Sequence, residues 1–141
     1  MSTVTAPARV SLSVIVPLAP GEREWQPLLE QLGALPPGSE VIVVAADDVV
    51  RLPPPAWPAP LHYRVCRSEP GRARQQNLGA RMASGDWLWF VHADSRLRAD
   101  TLQALQGFLA QGNAALGWFT LAFRRDGPRC TVLNAAGANW R

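Results

Sequence analysis

The stretch GRARQQNLGARMASGDWLWFVHAD, residues 71–94, decides the fold of this 141-residue chain. Its first half is rich in residues that favour helices, and Ser84 and Gly85 follow as a stop signal. This pattern predicts a helix from Gly71 to about Ala83. The solidly apolar run Trp87–Val91 that comes next predicts a strand. A helix followed at once by such a strand is the repeating unit of an α/β protein.

The flanking segments extend this unit to a complete sheet. Further strands are predicted at Val10–Val16, Glu40–Ala46, Leu61–Cys66 and Leu116–Phe123, further helices at Glu22–Ala34 and Ala99–Gln111, and another helix from Pro128. The order of these elements predicts an α/β fold whose mainly parallel sheet carries helices on both faces. The first strand is expected to stop at Pro17, and acids are expected to open the helix that follows. Five prolines in residues 51–60 predict a stiff, extended connection.

Length and composition fit one globular domain. The 15.3 kDa chain is 48% hydrophobic and 18% charged, which excludes wholesale disorder. We expect residues 1–9 to form a flexible tail and residues 10–141 a single domain. No apolar run approaches the roughly 20 residues that span a bilayer, and no secretory signal is recognisable. The sequence therefore predicts a cytoplasmic protein without a transmembrane segment.

The basic residues point to phosphate. All 14 are arginines, which excludes chemistry that needs a lysine. Five of them lie between Arg64 and Arg81 against one acid, Glu69, and arginine forks bind phosphate oxygens in pairs. A solvated helix face is the alternative interpretation of such a cluster. The net charge of +3 does not demand nucleic acid, and no nucleic-acid partner is predicted.

The turns that follow the predicted strands are rich in polar residues. In parallel sheets, ligands bind beyond the carboxyl ends of the strands. A helix start that carries Arg72 and Arg74 suits a diphosphate. Asp94, just past a buried strand, suits a hard divalent ion that bridges phosphates, although a turn carboxylate is the alternative. Together these features predict a site for a nucleoside diphosphate and its metal.

Residues 71–97 resemble the family 2 glycosyltransferases, and within them the radical-SAM/selenodomain-associated transferases. Those proteins have a segment like GRARQxNxGAxxAxGDxLLFLHADxxL at the donor site. The strands Val10–Pro17 and Glu40–Val44 match the same family more weakly. The resemblance implies a nucleotide-diphospho-sugar transferase (GT-A) fold, of which residues 10–141 would be the donor-binding half without the acceptor-binding half.

The resemblance also implies roles for individual residues. His92-Ala93-Asp94 stands where many relatives have a DxD motif, so Asp94 and His92 would hold Mn²⁺ or Mg²⁺ on the donor diphosphate. A packed histidine at a strand end is the alternative for His92. The implied nucleotide-sugar-binding residues are Pro17, Asp47, Arg72, Arg74, Asn77 and His92. Relatives have a base-contacting aspartate directly after the second strand, where this chain has Ala45, with Asp47 and Asp48 two and three residues further on. Either the loop brings one of these aspartates to the base, or the base is recognised differently.

The implied activity is metal-dependent transfer of a sugar from a nucleoside-diphosphate sugar to an unidentified acceptor. No residue matches the carboxylate that would act as general base, so we expect that base to lie outside this sequence. The alternative is a non-catalytic nucleotide-binding remnant or assembly module. A nucleotidyltransferase or a dinucleotide oxidoreductase would need a glycine-rich loop after the first strand, which is missing. We also expect homo-oligomers that form through the C-terminal third, where Trp118 and Trp140 lie.

Overall fold

The computed structural model describes residues 11–46, 52–58, 60–112, 116–117 and 119. The chain divides into two compact units, Met1–Ala110 and Gln111–Arg141. Within the described residues the elements are β1 (Leu12–Leu18), α1 (Gln26–Leu32), β2 (Glu40–Ala46), β3 (His62–Ser68), α2 (Arg72–Met82), β4 (Trp87–Phe90) and α3 (Thr101–Gln111). The predicted tail, most of the predicted fifth strand and the predicted helix from Pro128 lie outside the described residues.

The four strands form one parallel sheet in the order β3-β2-β1-β4. Crossovers between parallel strands are almost always right-handed. The chain moves outward from β1 to β2 through α1 and returns across the sheet from β3 to β4 through α2. The two helices therefore lie on opposite faces, and the predicted α/β architecture is confirmed. None of the described helices is long and apolar enough to cross a membrane.

One face of the sheet is covered by α1, α3 and the proline-rich connection. The side chains buried there come from both helices and from the inner strands, and include Val14, Val16, Leu28, Leu32, Val41, Leu105 and Leu109. Trp57 seals the connection onto α1, because its Nε1 donates to the Leu29 carbonyl oxygen at 2.7 Å. Residues 52–58 form neither helix nor strand, as the prolines predict.

The opposite face is covered by α2, which approaches the sheet closely at Gly79. A Cβ atom built there would lie 2.5 Å from Ile15 Cγ2 and 3.1 Å from Val44 Cγ2. Both side chains are fully buried together with Ile42. The missing side chain of Gly79 therefore sets the distance between the helix and the sheet.

Replacing this glycine tests that packing. We expect Gly79→Ala to lower the free energy of unfolding by about 1–2 kcal/mol, because overpacking outweighs the better helix propensity of alanine. Gly107→Ala in α3 is the matched control, since no atom of the described residues lies within 4 Å of the added Cβ. That control should leave stability unchanged or raise it. Equal stability of the two variants in urea unfolding would contradict this account of α2 packing.

The amino ends of the strands are closed by a buried carboxylate. The Glu40 side chain is 8% exposed. Its Oε2 accepts hydrogen bonds from Ser13 Oγ at 2.6 Å and from the Ser84 backbone N–H at 3.0 Å. Its Oε1 pairs with Arg64 Nη1 at 3.2 Å, and the same nitrogen donates to the Met82 carbonyl oxygen. Arg64 is thus committed to this edge and takes no part in the opposite one.

These contacts make the stability pH-dependent. Burial raises the pKa of Glu40, but hydrogen bonds from Ser13, Ser84 and Arg64 outweigh it, so the pKa lies below the ordinary value of 4.5. A lowered folded-state pKa stabilises the fold above the unfolded-state pKa, and this contribution is lost as pH falls through the folded-state pKa.

We therefore expect Glu40→Gln to lower the free energy of unfolding by about 2 kcal/mol at pH 7. The difference in the free energy of unfolding between the parent and the variant should become smaller as the pH drops below 4.5, the ordinary pKa of this carboxyl. Chemical unfolding at pH values from about 3 to about 8, which bracket the titration of Glu40, measures this difference. Glu30→Gln, at an exposed carboxylate with no described partner, should change little. If this difference in unfolding free energy does not depend on pH, Glu40 stabilises the fold through its packing and not through its charge.

Helix α1 is shorter than predicted. The sequence predicts a helix over Glu22–Ala34, whereas the structure has Gln26–Leu32 with proline in the first turn. Pro27 lacks an N–H and would disrupt a helix interior, so the helix begins beside it. Consequently the acids Glu22 and Glu24 precede the helix instead of opening it, and its first turn contains none.

Candidate functional site

The order of the strands reverses at β1. The chain passes from β1 to β2 and β3 on one side, and returns to β4 on the other. In open parallel sheets the carboxyl side of such a switch point is where ligands bind, because the two flanking loops diverge there. Here those are the loop after Leu18 and the loop that begins at Val91.

Pro17 belongs to the strand instead of ending it. It is buried and pairs in register with Val44, and β1 continues to Leu18. The Val91 N–H donates to the Ile15 carbonyl oxygen at 3.0 Å, beyond the last register pair with β4, Ile15 and Phe90. Pro17, two residues on, faces the same side, where β4 has already ended. Its missing N–H therefore costs no ladder hydrogen bond, which explains a proline in an inner strand.

A buried amide joins α2 to the strand ends. Gln75 Nε2 donates to the carbonyl oxygens of Leu18 at 2.8 Å and Val44 at 2.7 Å. The Gln75 N–H donates to the Gly71 carbonyl oxygen, so this residue also closes the first turn of the helix. The start of α2 is thereby fixed over the carboxyl ends of β1 and β2.

The start of α2 remains open to an anion. Gly71, which precedes the helix, has a φ of +143°, and none of the side chains that the structure describes caps the first turn. The first backbone N–H groups of such a helix point outward and carry its positive dipole end. Arg72 is exposed and makes no hydrogen bond or ion pair with the described part of the chain.

The other arginines of the cluster are arranged differently. Arg74 forms an ion pair with Glu69, and both side chains are exposed. Arg64 is bound at the amino edge, and Arg81 lies in the last turn of α2. Among the arginines predicted to bind phosphate, Arg72 is thus unpaired within the described residues, whereas Arg74 has a competing carboxylate.

His92 and Asp94 lie in one turn after β4. The Ser95 N–H donates to the His92 carbonyl oxygen at 3.0 Å, which closes the turn. Ala93 between them is buried, whereas His92 and Asp94 are exposed. Neither exposed side chain makes a hydrogen bond within the described ranges. Both are free to bind a ligand at the switch point.

The remaining predicted site residues are divided. Asn77 is exposed on α2 and makes no described side-chain contact. Asp47 lies outside the described residues. Ala45, the position where the family resemblance expects an aspartate, lies within strand β2.

The donor set fits a divalent cation that shares its coordination with phosphate. No cluster of three or more His, Cys, Asp or Glu side chains occurs in the described segments, so these residues form no all-protein metal cage. Mg²⁺ is usually held by one or two carboxylates together with phosphate oxygens and water. The exposed pair His92 and Asp94 is the size of donor set that this mode of binding requires.

Sequence reasoning missed three polar residues that shape this edge: Gln75, Gln31 and Arg96. Gln75 had a detectable signal, because it occupies an apolar position in the stripe that continues through Leu78 and Gly79. Gln31 and Arg96 bind the backbone of residues 66 and 72 positions away. No local pattern indicates such partners.

Known proteins share this fold. Two are crystal structures of S. aureus TarS residues 1–349. The one in complex with UDP is 23% identical with a TM-score of 0.56, and the other is 26% identical with a TM-score of 0.55. Each alignment covers 72% of this chain and 32% of TarS, so the chain spans about a third of the length of these solved proteins. No curated protein matches the chain significantly.

A family model agrees with the structural likeness. The model described as Glycosyl transferase family 2 matches residues 13–133, which include the switch point and nearly all of the described elements. The likeness to TarS shows the nucleotide-sugar transferase (GT-A) fold that the family resemblance implies. On this evidence, the chain belongs to glycosyl transferase family 2.

Proposed function

We propose that the carboxyl edge of this sheet binds a nucleoside-diphosphate sugar with a divalent cation, as the donor-binding part of a glycosyltransferase. The observation that carries this proposal is the arrangement at the switch point. A helix start with unpaired Arg72 and a turn with exposed His92 and Asp94 both lie at the carboxyl edge. Membership of the family supports a glycosyltransferase, and the UDP in the TarS complex supports a nucleoside diphosphate.

Each residue has a distinct role in this proposal. Arg72 and the first N–H groups of α2 bind phosphate oxygens, which suits the negative charge of a diphosphate. Arg74 adds a second guanidinium once it leaves Glu69. Asn77 contacts the ribose or orients the helix end, and Asp47 contacts the base. Pro17 contributes through the buried strand end that shapes the edge.

Asp94 and His92 would hold Mn²⁺ or Mg²⁺ against the diphosphate. When bound, such an ion stabilises the charge that develops on a departing diphosphate. The surrounding residues bind the donor so that its phosphates face Arg72 on one side and Asp94 on the other. The interactions of the diphosphate with Arg72 and with the ion at Asp94 would both strengthen as the sugar–phosphate bond breaks, because negative charge accumulates on the diphosphate.

The proposal extends to the wider protein. We propose that residues 10–141 form the donor-binding half and that the sugar passes to an acceptor held elsewhere. Residues 71–97 support membership of the radical-SAM/selenodomain-associated subgroup. A nucleotide-binding module without turnover is the alternative, and release of sugar from a donor in the presence of the chain separates the two. Homo-oligomers through the C-terminal third and a cytoplasmic location stay predictions.

The metal site is tested by calorimetric titration of the chain with UDP, once in the presence of Mn²⁺ and once in the presence of EDTA. We expect Mn²⁺ to raise the affinity for UDP, and Asp94→Asn to remove this gain because the variant lacks the anionic ligand. Asp100→Asn is the control, since Asp100 is exposed and pairs with Arg98. It should retain the full gain.

An Asp94→Asn variant that keeps the whole Mn²⁺ gain would refute the cation site. If the parent chain binds neither UDP nor GDP, with either Mn²⁺ or Mg²⁺, the proposed donor site itself is refuted.

The arginines are tested by comparing UDP with uridine. We expect Arg72→Gln to weaken UDP binding about tenfold through the lost charge-assisted hydrogen bonds, and to leave uridine binding unchanged. Arg81→Gln, at the other end of α2, should change neither. Glu69→Gln should tighten UDP binding a few-fold, because it frees Arg74 and removes a negative charge near the phosphates. Equal losses for UDP and uridine in Arg72→Gln would assign that residue a structural role only.

A further inference from the structure

The turn that holds Asp94 is bound by one guanidinium. Arg96 Nη1 donates to the carbonyl oxygens of Ser95 at 3.0 Å and Asp94 at 3.3 Å. The same nitrogen donates to the Glu24 carbonyl oxygen at 3.0 Å, and Nη2 pairs with Glu24 Oε2 at 2.8 Å. The Arg96 side chain is 24% exposed, so this fork is largely enclosed by its own chain.

These contacts fix the peptide group between Asp94 and Ser95. Its N–H donates to the His92 carbonyl oxygen at 3.0 Å, which closes the turn. Its carbonyl oxygen accepts from Arg96 Nη1, which also binds the Ser95 carbonyl oxygen. Because the peptide plane that follows Asp94 is held at both its N–H and its carbonyl oxygen, the direction in which the Asp94 side chain leaves its Cα is restricted.

A second clamp holds the next residue of the loop. Gln31 Nε2 donates to the Leu97 carbonyl oxygen, and the Leu97 N–H donates to Gln31 Oε1, both at 2.9 Å. The loop after β4 is thus held from α1 at Leu97 and from the segment before α1 at Asp94 and Ser95. Arg96 contacts the peptide group of the proposed metal ligand, whereas Gln31 does not.

Arg96 is poorly suited to bind phosphate itself. Its donors face three carbonyl oxygens and one carboxylate, and the Glu24 carboxylate offsets its charge. A lysine would not reproduce these contacts, because its ammonium has three donors on one nitrogen, whereas Arg96 meets the Glu24 carboxylate with Nη2 in addition to the carbonyl oxygens that Nη1 binds.

We propose that Arg96 is a positioning residue for Asp94, which ties the metal-binding turn to Glu24 at the β1–α1 connection. This inference rests on the proposed role of Asp94 in cation binding. Its consequence is that the two loops flanking the switch point are held in one fixed arrangement before a donor arrives. The backbone of the turn that carries Asp94 then needs no reordering when the cation binds.

The test measures the Mn²⁺ gain, defined as the ratio of UDP affinities with Mn²⁺ and with EDTA. We expect Arg96→Gln and Arg96→Lys each to reduce this gain about tenfold, the lower end of the effect typical of residues that orient metal ligands. Their affinity for UDP in EDTA should change less than about twofold. Arg98→Gln is the matched control. It removes the same charge from a position two residues after Arg96, and the Arg98 side chain pairs only with Asp100 among the described residues.

Two outcomes overturn the inference while leaving the proposed function intact. Full recovery of the Mn²⁺ gain in Arg96→Lys would show that charge alone matters. An equal loss of UDP affinity with and without Mn²⁺ in Arg96→Gln would show a structural or phosphate-binding role. Asp94→Asn is titrated in parallel: if it keeps the gain, the proposed cation site has failed, and the role of Arg96 fails with it.

A second variant, which retains the Arg96 side chain, keeps the inference testable if Arg96→Gln does not fold. Glu24→Gln removes the ion pair and leaves the backbone acceptor at Glu24. It should lower the Mn²⁺ gain a few-fold, with the far-ultraviolet circular dichroism of the parent. If Arg96→Gln does not fold, this variant decides alone, and a full gain in it overturns the inference.

Discussion

The two hydrogen bonds that Gln75 donates to the Leu18 and Val44 carbonyl oxygens determine where α2 meets the sheet. An amide buried in this way is costly to remove, because both carbonyl groups would lose their partners away from water. The close approach of α2 at Gly79, one turn further along, fixes the height of the helix above Ile15. Together they place the open start of α2 over the carboxyl ends of β1 and β2.

The two edges of the sheet treat their polar groups in opposite ways. At the amino edge, Glu40 is satisfied by serine and arginine donors, and Asp86 accepts hydrogen bonds from Ser11. At the carboxyl edge, Arg72, His92 and Asp94 have no side-chain partner among the described residues. Exposed charges of both signs at the carboxyl side of a switch point, beside an open helix start, suit a ligand that carries phosphate and a cation.

Local patterns in the sequence predict most of the elements. The bounds of β2 agree with the apolar run Glu40–Ala46, and α2 and α3 lie where the stop signals and the apolar stripe place them. Elements that depend on distant partners are less predictable. Whether β1 can pass through Pro17 depends on where β4 ends, and β4 begins about 70 residues later in the chain.

In the candidate site, too, residues marked by local patterns were predictable, whereas residues that depend on distant partners were less so. Arg72, His92 and Asp94 were predictable because each follows a recognisable helix or strand boundary. The supports Gln31 and Arg96 were not, since they bind the backbone of residues 66 and 72 positions away, whereas Gln75 had a signal in the apolar stripe of α2. The pairing of Arg74 with Glu69 is local, five residues apart, and a count of charges around the helix start could have anticipated it.

A crystal structure of the chain grown with UDP and Mn²⁺ tests the central claim most directly. We expect the diphosphate to lie at the start of α2 within reach of Arg72. We also expect the ion to bind both the diphosphate oxygens and the Asp94 carboxylate, on the carboxyl side of β1 and β4. A nucleotide bound elsewhere, or a diphosphate at this edge whose ion contacts neither Asp94 nor His92, would contradict it.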